Sequence, residues 1–182
     1  MILASQLSSG MVIRLNNKIY QVESVSKVAI GRAKAFMQLV LKDLQNPEEV
    51  EKKLKVDQEV QEVELTTAEI EFLYPQDRGY SFLDINALEQ VYVDRAVVGN
   101  KINYLKEGVP VTASCHGAEV YAIELPQFLE LMVGQVDNKA KAPSGEHIVI
   151  LETGAKMSAP LFVEEGDVVK VDTRTEEFIQ RV

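Results

Sequence analysis

The chain is 182 residues long, 46% hydrophobic and 26% charged, with a formal net charge of −9. That composition excludes a disordered polymer, and no apolar run approaches the ~20 residues a membrane helix needs. One cysteine, Cys115, and two histidines, His116 and His147, exclude an internal disulfide and a Cys/His-rich zinc cluster.

The charge is unevenly spread. Residues 1–42 hold six Lys/Arg and a single acid, Glu23, whereas residues 43–182 hold 13 Lys/Arg against 27 Asp/Glu. Affinity for phosphate comes mainly from lysine and arginine, so the N-terminal end is the part suited to meet an anion. The opening residues Met1-Ile2-Leu3-Ala4-Ser5 lack the charged start and long apolar stretch of a secretory leader. A cytoplasmic protein is expected.

In chain order, Lys18–Lys27 and Phe36–Lys42 read as strands; Met37, Leu39 and Leu41 alternate with polar neighbours in the second. They enclose Ala29-Ile30-Gly31-Arg32-Ala33-Lys34-Ala35, a slim basic turn in which Gly31 permits positive φ. Arg32 offers a planar fork for phosphate or ribose and Lys34 a point charge. The residues alone leave two readings open: a cationic finger for an anionic recess, or a hairpin loop whose charges keep it solvated. Glu48–Lys53 reads as a solvated strand edge, and residues 69–84 read as a hairpin around Pro75-Gln76-Asp77-Arg78-Gly79. A short helix is predicted at Asn86–Val91 and a single turn at Asn100–Leu105. Val109, Val111 and Ala113 lead to a His116-Gly117 turn, from which Val120–Leu125 returns. Cys115 falls on the inward period of its strand, and His147 is expected in a loop.

Glu107-Gly108-x-x-Val111 recurs as Glu165-Gly166-x-x-Val169, with Gly10-x-x-Ile13 as a looser copy. Short strands at regular spacing mean small barrels. The expectation is an all-β chain of three barrels at residues 1–64, 65–127 and 128–182. No phosphate-binding G-x-x-x-x-G-K-[ST] loop, G-x-S-x-G elbow or H-E-x-x-H motif is present. No catalytic residue, metal site or bound cofactor is assigned.

Several segments carry a family resemblance. Val28–Phe36 is similar to the tip region of bacterial elongation factor P, usually V-x-P-G-K-G-x-A-F. Tyr104-Leu105-Lys106-Glu107-Gly108 and Ile123-Glu124-Leu125-Pro126 match its middle. Leu151-Glu152-Thr153-Gly154, Ala159–Asp167, Lys170–Thr175, Phe178 and Arg181-Val182 resemble its closing signature. The resemblance implies an SH3-like, KOW-like N-terminal barrel and two OB-fold barrels in an L-shaped, tRNA-like arrangement. It implies a monomeric factor that binds the ribosome between the peptidyl and exit tRNA sites, in contact with ribosomal RNA and peptidyl-tRNA and with no membrane partner. The tip would steady the CCA end of peptidyl-tRNA and relieve stalls at consecutive prolines, a catalysis by positioning. The alternative is a tRNA-mimicking paralogue that binds or regulates without relieving stalls.

The chain departs from the family at three places. Arg32 stands at the tip position that in the family is commonly modified, with Ile30 where proline is usual. An arginine cannot take an extension built on a lysine amine, so Arg32 is expected to be rhamnosylated by a tip-modifying enzyme or to work unmodified, with Lys34 the second modification site. The family's codon-proximal G-D-x-A-K loop is replaced by Gly99-Asn100-Lys101-Ile102-Asn103, and the segment Asp137–Gly145 is shorter than usual. Arg174 and Arg181, within the closing signature, are candidates for RNA backbone contact or for salt bridges to neighbouring acids.

Overall fold

The computed structural model describes residues 1–44, 48–141 and 145–182. It is all-β, with alternation setting which side of each strand faces inward. The N-terminal segment forms β1 (Ile2–Leu3), β2 (Val12–Leu15), β3 (Lys18–Val28), β4 (Phe36–Asp43), β5 (Glu49–Lys55) and β6 (Glu59–Glu62), in the sheet order β1-β6-β2-β3-β4-β5. Along β4 the alternate residues Met37, Leu39 and Leu41 are buried, in one core with Ile13, Val22 and Val60. Each such leucine contributes about 1.5–3 kcal/mol by leaving water.

The middle segment forms β7 (Thr66–Gln76), β8 (Gly79–Asp84), β9 (Glu89–Asp94), β10 (Pro110–His116) and β11 (Glu119–Glu124), ordered β11-β10-β7-β8-β9. Gln76 pairs with Gly79, so the predicted hairpin closes on the two residues Asp77 and Arg78, and Pro75 lies within the strand. Phe72 meets Phe82 edge to face, 5.4 Å between ring centroids. The helix expected at Asn86–Val91 is absent. The Asp84 carboxylate accepts the N–H groups of Asn86 and Ala87, both at 2.9 Å, and Leu88 adopts φ +55°, which ends the turn as β9 begins. Helix appears one element later, as α1 (Arg95–Val98), capped by Asp94 through the Ala96 N–H. A 3-10 segment, Gly99–Tyr104, follows, where a single turn was expected.

The C-terminal segment forms β12 (Phe128–Lys141), β13 (His147–Leu151), β14 (Lys156–Ala159), β15 (Val168–Asp172) and β16 (Glu177–Arg181), ordered β14-β13-β12-β15-β16. Of the shortened Asp137–Gly145 segment, residues 137–141 continue β12, and 142–144 lie outside the described residues. His147 is not in a loop: it opens β13 at 9% exposure, paired with Ala159. Cys115 is half-buried rather than buried, because β10 is leaving the core as it nears its turn.

The glycine repeat has one structural meaning in all three segments. Gly10, Gly108 and Gly166 sit at φ +92°, +89° and +89°. Their N–H groups donate to the carbonyls of Val22, Phe72 and Val133 at 2.8, 2.9 and 2.9 Å, and those three residues donate back to Met11, Val109 and Asp167. Immediately after Val22, Phe72 and Val133 the strand register shifts by a bulge, against β4, β8 and β13 respectively. A bulge bends a strand, and a bent strand lets a small sheet curl over its core. In the first copy the glycine turn precedes its strand; in the other two it follows.

By contact density the chain divides into two compact units, residues 1–68 with 113–122, and residues 69–112 with 123–182. In the first, Tyr121 packs in a small cluster with Ile19 and Val63. In the second, Tyr104 joins the core of the C-terminal sheet, beside residues such as Leu131 and Val169. Among the described residues no helix is long and apolar enough to cross a membrane.

Candidate functional site

The basic turn is the end of the β3–β4 hairpin. The last pair is Val28 with Phe36, leaving seven residues to turn the chain. The Ala33 N–H donates to the Ile30 carbonyl at 3.1 Å, and Gly31 takes φ +58° with nothing within 4 Å of where a Cβ would stand. Ala29 through Lys34 are exposed. Among the described residues neither Arg32 nor Lys34 is paired with an acid. The tip therefore presents two uncommitted cations on a narrow backbone turn, with Ile30 as its one large apolar side chain, 67% exposed.

The stem adds cations that the linear charge count assigned to the acidic part of the chain. β5 pairs with β4 so that Lys53 opposes Gln38 and Lys55 opposes Phe36. The Lys53 ammonium lies 5.2 Å from the Phe36 ring centroid, and Lys27, Lys34 and Lys55 line one groove with Phe36 and Asp57. The signal was present as Lys53-x-Lys55, but only strand pairing puts these two lysines beside the tip.

Gly99, Asn100 and Lys101 lie in the 3-10 segment, with Gly99 at φ +53°. The Lys101 ammonium is half-buried and donates to the Ile123 carbonyl at 2.6 Å. Burial lowers its pKa, opposed by the Glu124 carboxylate. Lys101 and Asn100 share a cleft with Tyr104, Glu124, Arg174 and Glu176. Burial pushes the Tyr104 phenol up to about 12, helped by the charge of Glu176 and a hydrogen bond to it. Arg174 Nη2 stands 3.5 Å from Glu124 Oε1, with both side chains largely exposed. Its backbone N–H donates to Asp172 at 2.9 Å, which is the main reason the Asp172 carboxyl is held below its usual range. Arg181 is apart from this cleft: its guanidinium lies 5.2 Å from the Phe162 ring and Nη1 3.7 Å from Asp167 Oδ2. Exposed ion pairs of this kind contribute little, about 0–1 kcal/mol, so both arginines can exchange their acids for another anion. No cluster of three or more His, Cys, Asp or Glu is placed to hold a metal ion among the described residues.

Comparison with known proteins gives matches along the whole length. The Elongation factor P (EF-P) KOW-like domain matches residues 3–60, the Elongation factor P (EF-P) OB domain residues 65–123, and Elongation factor P, C-terminal, residues 129–181. Elongation factor P 1 of Protochlamydia amoebophila is 48% identical over 181 residues, covering 98% of each chain. Elongation factor P 1 of Chlamydia pneumoniae is 40% identical over 185 residues, covering both chains fully. Elongation factor P of Natranaerobius thermophilus is 33% identical over 185 residues, covering 100% of this chain and 98% of its own. Among solved structures, a eukaryotic translation initiation factor 5A from Methanococcus jannaschii aligns at 12% identity and a TM-score of 0.49, over 68% of this chain and 92% of its own.

Proposed function

Because this chain belongs to the elongation factor P family of translation factors, we propose that it binds the ribosome in the cytoplasm between the peptidyl and exit tRNA sites and relieves stalls at consecutive prolines. The observation that carries this reading is the tip: an exposed turn with two unpaired cations, raised on a hairpin whose stem is itself lysine-rich. Arg32 steadies the CCA end of peptidyl-tRNA, Gly31 keeps the turn thin, and Lys34 meets phosphate. Proline is a rigid, poor reactant, and holding the reacting ends in place lowers an entropic barrier. The ribosome supplies the chemistry, and the factor supplies position.

The working modules in this reading are residues 1–64, 65–127 and 128–182 of a monomer. Arg32 is rhamnosylated or acts as the bare guanidinium; Lys34 is the second modification site. The Gly99–Lys101 segment faces the exit-site codon less directly than a free lysine would, since the Lys101 ammonium is engaged by Ile123. Arg174 and Arg181 contact RNA backbone by exchanging Glu124 and Asp167.

The test is translation of a three-proline reporter on ribosomes lacking the endogenous factor, with natively purified protein against its Arg32→Ala variant. The expected result is rescue by the native protein and loss by about tenfold or more in the variant, in line with one lost positioning group. The intact mass of the same preparation tells a deoxyhexose on Arg32 from an unmodified chain. Ribosome binding without rescue would instead support the paralogue reading, for which the engaged Lys101 is the favouring observation.

A further inference from the structure

We propose that the outward face of β7, β8 and β9 is a second RNA contact, a two-ring platform on which bases of a single-stranded RNA stack. Register places Tyr74 opposite Ser81, and Ser81 opposite Tyr92, so the two tyrosines share one row across three strands. They are 50% and 47% exposed, although the tyrosines on the inner side, such as Tyr80, are buried. Neighbouring strands are about 4.8 Å apart, so the two rings stand roughly 10 Å from each other, with Ser81 fully covered between them.

Both rings are held in place. The Gln90 amide donates to the Tyr74 phenol oxygen at 2.6 Å and to the Ser81 hydroxyl. That leaves the Gln90 carbonyl oxygen as an acceptor for a base edge. Tyr92 lies over Gly79, whose missing side chain makes the space for it. At the turn end of this face stand two arginines. The Arg95 backbone N–H donates to the Arg78 carbonyl at 3.1 Å, and Arg95 Nη2 to the Asp77 carbonyl at 3.3 Å. The Arg78 guanidinium has no acidic partner among the described residues.

Charge and chemistry choose the occupant. Rings set in a polar row of serine and glutamine, with guanidinium groups at one end, fit flat bases on a phosphate backbone better than an apolar protein surface. Strands 2 and 3 of an OB-fold, here β8 and β9, carry a face on which oligonucleotides lie, and aromatic stacking tolerates any base. The acid in the next row, Glu71 opposite Leu83, opposes the dense charge of a duplex and leaves room for one or two splayed nucleotides. Asp94 does not compete for the arginines, because its carboxylate accepts the Ala96 N–H.

The test uses the full chain carrying Arg32→Ala together with glutamine at Lys27, Lys34, Lys53 and Lys55, so that the cations of the tip and its stem do not contribute and the tip reading can fail without touching this one. Fluorescence anisotropy of a labelled hexauridine at low ionic strength is compared for Tyr74→Leu, Tyr92→Leu, their Phe counterparts and Arg78→Gln. Stacking predicts binding about tenfold weaker in each Leu variant and unchanged within about twofold in each Phe variant, which keeps the ring. Arg78→Gln should make the salt dependence shallower by about 0.7 in log–log slope. The proposal is overturned by no saturable binding, by equal affinity in Leu and Phe variants, or by a duplex that binds as tightly as the single strand. Should the Tyr92→Leu chain fail to fold, the Tyr74→Leu and Tyr74→Phe pair decides between these outcomes by itself.

Discussion

A methyl group added at Gly79 would collide with the Val93 carbonyl oxygen and lie 2.7 Å from the Tyr92 phenol oxygen. The collision is with backbone, which cannot swing aside as a side chain does. Gly79→Ala should therefore destabilise the chain by about 1–3 kcal/mol, read as a lower urea midpoint. The control is Gly134→Ala, whose methyl meets nothing closer than 3.5 Å and should cost well under half as much. At this scale the tip was readable in advance. Small residues around Gly31, with Arg32 and Lys34 between alternating strands, leave few conformations other than an exposed hairpin end. The Tyr74–Tyr92 pair was not readable, since the two are 18 positions apart in the chain and become neighbours only through the register of β8.

Elements were legible where one periodicity ruled and misread where a side chain overrode it. The hairpins of β3–β4 and β10–β11 followed their alternation. The turn after Asp84 carries helix-forming residues, yet the Asp84 carboxylate and the positive φ of Leu88 end it within one turn. Beyond the 3-10 segment, Lys106 ties the middle strands to the C-terminal sheet: its ammonium lies 2.8 Å from Glu152 Oε1, which also accepts the Met132 N–H at 3.0 Å. The lysine hydrogen bond first, and the backbone N–H second, hold the Glu152 carboxyl below its usual range. A carboxyl more acidic when folded stabilises in full above its unfolded pKa, about 4.3, and loses that contribution as pH falls through the lower folded value. Glu152→Gln should cost about 1 kcal/mol at neutral pH, because both partners are partly exposed. As pH falls below the lowered folded value the variant and the parent should converge, and a constant gap in chemical denaturation from neutral pH down through that region would show that Glu152 acts by packing alone.

Across the whole molecule, charge is divided between a basic tip and an acidic remainder. The net charge is −9, yet the tip and its stem gather Lys27, Arg32, Lys34, Lys53 and Lys55 on β3, β5 and the turn between β3 and β4. An excess of carboxylates limits indiscriminate phosphate binding, and clustered lysine and arginine favour anions. Sequence counting placed the boundary of the basic part at residue 42, because it could not see β5 return along β4. The stem lysines make a quantitative prediction that Arg32 alone does not. Each phosphate contact by lysine releases counterions, and a single-stranded contact adds about 0.7 to the slope of log affinity against log salt. Replacing Lys27, Lys53 and Lys55 together by glutamine should flatten that slope for ribosome binding by about 2, with weaker binding at low salt and convergence at high salt. On the proposed reading Arg32→Ala should change the slope by less than 1 while lowering stall relief by about tenfold or more, since Arg32 would act there by position more than charge. If the triple variant kept the parent's slope, the stem would face away from RNA in the bound state, and the tip would have to carry the electrostatics unaided.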